Sequence, residues 1–127
     1  MNTANSKSDR VVTISDLKQQ VYQFVDERDW NKYHNLKNLS MSVAIEAAEL
    51  MEIFQWTNED ESERALKDVA FLQRIEQEVA DIIIYCLSLA NVTNIDISQA
   101  VLGKIDQNKA KYPEERVKGN YRKYTEL

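Results

Sequence analysis

The sequence predicts an all-α fold, a four-helix bundle, and three observations carry the prediction. It has 2 Gly and 1 Pro in 127 residues, too little turn chemistry for an all-β chain. Long segments run without a breaker, and their apolar residues recur every three or four positions, the period of an amphipathic helix. The length suits one domain of ordinary size. A net charge of −5 sets up a field that does not attract nucleic acid. One cysteine, Cys86, rules out an intramolecular disulfide framework and fits a reducing cytoplasm. No apolar run is long enough to span a bilayer, and the polar N-terminus lacks the core of a signal peptide. The expectation is a soluble cytoplasmic protein without nucleic-acid or membrane partners.

Residues 1–12 read as a flexible tail. Ser15 is the expected N-cap of a first helix, with Ile14, Leu17, Val21, Phe24 and Val25 as its apolar stripe, ending near Asp29. Trp30 to Asn38 breaks the period with aromatic and polar residues. It reads either as a ligand-facing loop or as a plain connection in which Trp30 plugs the core. A second helix covers roughly Leu39 to Trp56, with Val43, Ala47, Leu50 and Phe54 on one stripe. Thr57 to Arg64 reads as an acidic, solvated connector. Helix resumes near Ala65 and runs to Ala90, with a break around Val69. The stretch from Val79 to Ala90 is apolar nearly all round, as in the middle of a bundle or at a subunit interface. Asp96 with Gln99 resembles a capping box for the last helix, which Pro113 stops. Residues 114–127 form a locally basic tail with Arg116, Lys118, Arg122 and Lys123.

Two stretches carry the chemistry: Glu46-Ala-Ala-Glu49 in the second helix and Glu78-Val-Ala-Asp81 in the third. Positions three apart on a helix share a face, so each pair can aim its oxygens at one point. Acids rarely sit in apolar segments without compensation, and four of them together call for a cation. Oxygen-only ligands select a hard ion, Mg²⁺ first and Mn²⁺ as its substitute. One His and one Cys cannot make a typical zinc site. A di-iron bundle would want Glu-x-x-His, and the single His34 follows neither pair. One Glu-x-x-Glu alone is common on solvated helices; two copies inside apolar segments are harder to attribute to chance.

Mg²⁺ held by acids implies a polyphosphate substrate. Trp30, Trp56 and Tyr85 can clamp a flat base, and Lys104 and Lys111, which share a stripe with Asn108, can neutralise phosphate oxygens. No Gly-rich phosphate loop exists, which closes the P-loop routes. A hydrolase of this kind needs a metal-held water and a carboxylate to take its proton.

The two acidic motifs resemble the signature of the MazG-like all-α nucleoside triphosphate pyrophosphohydrolases. The flanking text is similar to the dCTP pyrophosphatase branch: Arg28-Asp-Trp-x-x-Tyr-His34, Lys37-Asn-Leu39, Glu46 to Trp56, Asp81-Ile-Ile-Ile-Tyr85, Asn108 to Pro113, and Lys123-Tyr-Thr-Glu-Leu127. The resemblance spans about residues 14–127 and makes 13–113 a MazG-like helical domain. It implies Glu46, Glu49, Glu78 and Asp81 as metal ligands and catalytic acids. Trp30, His34, Trp56 and Tyr85 would line the nucleotide pocket, with Lys104, Asn108 and Lys111 on the phosphate side. It further implies hydrolysis of a (deoxy)nucleoside triphosphate, leaning to dCTP, to monophosphate and pyrophosphate, a house-cleaning activity. The fold would oligomerise through its helices, as a homodimer or homotetramer. Two departures bear on base and sugar selectivity: Leu36 stands where Pro is common, and Val21 where some animal relatives carry His. The reading from another class is a non-catalytic helical oligomer that binds nucleotides or a partner protein.

Overall fold

The structure, a computed structural model, describes residues 5–126; residues 1–4 and Leu127, the outermost parts of the two expected tails, lie outside the described residues. Every regular element among the described residues is helical. Helix α1 spans Ile14–Glu27, α2 Leu36–Phe54, α3 Glu59–Ala65, α4 Val69–Thr93, α5 Ile97–Lys111 and α6 Glu114–Val117. Short 3₁₀ turns occupy Asn5–Lys7, Asn31–Tyr33 and Tyr124–Glu126.

The caps explain where each helix begins. Thr13, not Ser15, starts α1: its hydroxyl accepts the Asp16 N–H at 3.1 Å, and Asp16 accepts the Thr13 N–H at 2.9 Å. Ser15 has Lys18 three residues on, which cannot return the bond, so the reciprocal pair wins. Helix α2 starts at Leu36, three residues earlier than its stripe suggests, because the Asn35 side chain accepts the Asn38 N–H at 2.9 Å. The expected acidic connector is helix α3. Asn58 and Glu61 form a capping box, and Glu59, Asp60 and Glu61 lie in the first turn, where the helix dipole favours negative charge. The break expected around Val69 falls at Leu66 to Asp68, after which the Asp68 carboxylate accepts from the N–H groups of Ala70 and Phe71 to restart the chain as α4. Asp96 caps α5 by accepting from Gln99 N–H at 2.9 Å.

The chain divides into two compact units, one up to Asn94 and one from Ile95. In the first, α4 packs along α2 and also against α1. Val25, Leu39, Leu87 and Ala90 form its buried core, with Leu39 only 1% exposed. Asn91 donates from Nδ2 to the Lys18 carbonyl at 2.9 Å and ties α4 to α1. Phe54 and Phe71 meet edge to face at 5.6 Å near the α3 end of the α2–α4 pair. Past α1, Asp29 adopts φ 54° and Trp30 turns back to pack edge-on against Phe24 at 5.8 Å, with the Arg28 guanidinium over the same Phe24 ring. Helix α4 is not buried on most sides. Leu87, Ser88 and Ala90 are buried, while Val79, Ile83 and Ile84 remain exposed. In the second unit, α5 leaves Val101, Leu102 and Ile105 exposed. No single helix among the described residues is long and apolar enough to cross a membrane.

Candidate active site

The packing of α4 along α2 brings the two acidic motifs together. Glu46, Glu49 and Glu78 each offer a carboxylate oxygen, and these oxygens lie within 4.8 Å of one another. The three-residue spacing puts Glu46 and Glu49 one turn apart on α2, and the partner helix supplies Glu78 opposite them. Asp81, one turn beyond Glu78, joins the cluster through its charge, which acts on both Glu46 and Glu78.

The electrostatics of the cluster are those of a site short of positive charge. The Glu46 carboxyl is pushed up to about 7: first by its removal from water, then by a hydrogen bond shared with Glu49, then by the charges of Glu49, Asp81 and Glu78. Glu78 is raised for the same reasons, burial first and Glu49 next, with Arg74 pulling the other way. One oxygen of Glu46 and one of Glu78, both Oε2, are buried with no hydrogen-bond partner. Buried carboxylate oxygens are normally satisfied, so two orphans facing a third acid fit a hard cation. Oxygen-only donors on two helices match that class of ion and no softer one.

Beside the acids, a recess of about 380 Å³ is lined by Glu49, Glu52, Ile53, Arg74, Gln77 and Glu78. Arg74 was not singled out by the sequence reading. Its signal was there: it precedes Glu78 by four residues, one turn of α4.

The remaining expected site residues divide by element. Tyr85 is half-buried on the α4 stripe of Glu78 and Asp81. His34 lies further along the same unit, in a smaller recess shared with α1 and α4. Trp30 packs on Phe24 as described, and both rings stay exposed, so Trp30 does not plug the buried core. Trp56, just past α2, is 87% exposed. Lys104, Asn108 and Lys111 lie on α5, in the second unit, with exposed side chains.

With this geometry in place, the comparisons with known proteins are specific. The MazG-like family model matches residues 41–127. The dCTP pyrophosphatase 1 of Bos taurus is 35% identical over 115 residues, 91% of this chain and 68% of its own. The Homo sapiens protein of that name is 34% identical over the same shares. Among solved structures, a pyrophosphatase from Archaeoglobus fulgidus is 42% identical, with a TM-score of 0.73 over 79% of this chain and 92% of its own. The chain belongs to the MazG-like family of all-α pyrophosphatases, as the motifs led us to expect. Within the family it is dCTP pyrophosphatase-like.

Proposed function

We propose that the chain hydrolyses a (deoxy)nucleoside triphosphate, with dCTP the favoured substrate, to the monophosphate and pyrophosphate, using Mg²⁺ held by Glu46, Glu49, Glu78 and Asp81. The observation that carries this is the triad of carboxylate oxygens within 4.8 Å of each other, two of its members holding a buried oxygen without a partner. Mg²⁺ at that point supplies charge for the phosphate oxygens and lowers the pKa of water at neutral pH. The chain's own groups do the rest. A carboxylate of the cluster takes the proton of the water that attacks the α-phosphorus, and the bond from that phosphorus to the bridging oxygen of the pyrophosphate breaks in line. Arg74, beside Glu78 in the recess, offers a guanidinium to the departing pyrophosphate. Trp30, His34, Trp56 and Tyr85 hold the nucleoside. The chain works as a homo-oligomer: Ile45 on α2 and Ile83 and Ile84 on α4 are large apolar side chains left exposed by the single chain. Its lone, free Cys86 suits a reducing, cytoplasmic setting.

The test is to incubate the protein with each dNTP and Mg²⁺ or Mn²⁺ and to identify the products. Pyrophosphate with monophosphate is expected; orthophosphate with diphosphate would refute the reaction. Glu49→Gln should abolish turnover, and full activity in that variant would refute the assigned site.

A further inference from the structure

Helix α1 ends in a way that fixes one side chain. The Asp29 N–H donates to the Asp26 carbonyl at 3.0 Å, and the Trp30 N–H donates to the Val25 carbonyl at 3.1 Å. Those two bonds, made around a left-handed residue just past the helix, define a Schellman stop. The left-handed position is normally glycine, because a side chain there crowds the neighbouring carbonyl. Here it is Asp29, at φ 54°. Such a stop is commonly closed by an apolar contact from the residue after the turn back onto the last turns of the helix. In this chain that contact is Trp30 on Phe24, with ring centres 5.8 Å apart.

Phe24 is itself held. The Arg28 guanidinium lies over its ring at 3.9 Å and donates from Nη1 to its carbonyl at 3.0 Å. On the other side of Trp30, Asn31 donates from Nδ2 to the Asp26 carboxylate at 2.8 Å. Trp30 is therefore anchored through its N–H to Val25, a core residue, through its ring to Phe24, and through its successor to α1.

Two features exceed what a plain helix stop requires. The aromatic pair is not core: Phe24 is 48% exposed and Trp30 43%. The pair buries less than its size allows, yet an indole half open to solvent and unable to swing is a preformed stacking surface. Glycine, moreover, would make the same turn without strain, at the cost of more freedom. Asp29 takes the strain and leaves the backbone fewer states at that point. Its carboxylate also accepts from Lys32 Nζ at 3.0 Å, an exposed pair that adds little by itself.

We propose that the end of α1 is a positioning device for Trp30. Asp29 holds the left-handed turn without glycine's freedom, Phe24 walls the indole, and together they fix the ring before the nucleoside arrives. The inference rests on the nucleotide-hydrolase reading, in which Trp30 holds the nucleoside, and adds two positioning residues that act through Trp30.

Asp29→Gly is the telling variant, since glycine keeps the turn and removes only the restriction. Its Tm should stand at or above that of wild type. Its KM for dCTP should rise about twofold to tenfold, the cost of immobilising one side chain on binding, with kcat within about twofold. Asp29→Asn, whose new side chain also tolerates the left-handed region, should return KM to the wild-type value. Phe24→Leu should raise KM as Asp29→Gly does. A second readout needs no turnover. Trp30 and Trp56 are the two tryptophans of the chain, so in a Trp56→Phe background time-resolved fluorescence anisotropy reports Trp30 alone. The indole should show little fast local motion in that parent and with Asp29→Asn, and a clear fast component with Asp29→Gly or Phe24→Leu. An unchanged KM or an unchanged anisotropy decay in Asp29→Gly would overturn the inference. So would a raised KM that comes with a lowered Tm and persists in Asp29→Asn. Failure of wild type to hydrolyse any nucleotide would strike the hydrolase reading instead; the anisotropy would still decide whether Asp29 and Phe24 hold the indole, with an unchanged decay against it.

Discussion

Metal binding at the acidic cluster should release a proton, and the amount should depend on pH in a way fixed by Glu46. Its carboxyl is raised to about 7, so near neutrality it is half protonated when no ion is bound. A divalent ion needs the carboxylate form and must displace that proton. For one group of pKa about 7, apparent affinity falls from its high-pH limit about twofold at pH 7, about tenfold at pH 6 and about a hundredfold at pH 5. The protons released per ion should be about 0.9 at pH 6 and about 0.1 at pH 8 by the same relation. Glu78, raised in the same direction by burial and by Glu49, adds to the loss as pH falls. Titration calorimetry with Mn²⁺, repeated in buffers of different ionisation enthalpy, counts the protons directly. Glu46→Gln, which has no proton to lose, should flatten both curves near neutrality while weakening affinity. An affinity constant from pH 8 to pH 6 with no proton release would refute the picture of an acid kept protonated by its neighbours.

Three further outcomes follow from the same geometry. Glu46 has a folded-state pKa above its ordinary value, so the metal-free protein should be most stable below about pH 4.5 as far as this group is concerned, losing on the order of 1 kcal/mol, after solvent screening, as pH rises through 7; thermal melts of Glu46→Gln should show a flatter profile and a higher Tm at pH 8. Trp56 is 87% exposed, so Trp56→Ala should change stability by less than about 0.5 kcal/mol yet raise KM for nucleotides, whereas an unchanged KM would remove Trp56 from the pocket. Ile83→Glu should shift the protein to a smaller species in sedimentation velocity without loss of helix by circular dichroism, and an assembly that withstands it would place the interface elsewhere.

Helix content was legible because breakers are scarce and the apolar period is clean, and the four long helices lie where that period puts them. The starts were less so, since a cap is decided by the pair it makes. Ser15 and Thr13 are both good capping residues, but only Thr13 has an acid three positions on to return the bond. Helix α3 escaped because its acids were read as a solvated run. The same acids, behind Asn58, are what the first turn of a helix favours. At the site, spacing alone put Glu46 with Glu49 and Glu78 with Asp81, because i and i+3 share a face whatever the tertiary fold. That the two faces meet was an inference from charge: acids in apolar segments need something to answer them.

What spacing could not reveal was anything that depends on the register between helices. Arg74 matters only because α4 lies along α2 with that turn beside Glu49 and Glu52. The smaller recess, which His34 and Ser88 line, exists only because α1 and the turn after it stop short of filling the space against α4. Both features sit on helix α4, one near each end of the stripe that Glu78 and Asp81 define. That stripe orders these groups along one helix: the Arg74 guanidinium, the acids Glu78 and Asp81, the aromatic ring of Tyr85, then the Ser88 hydroxyl.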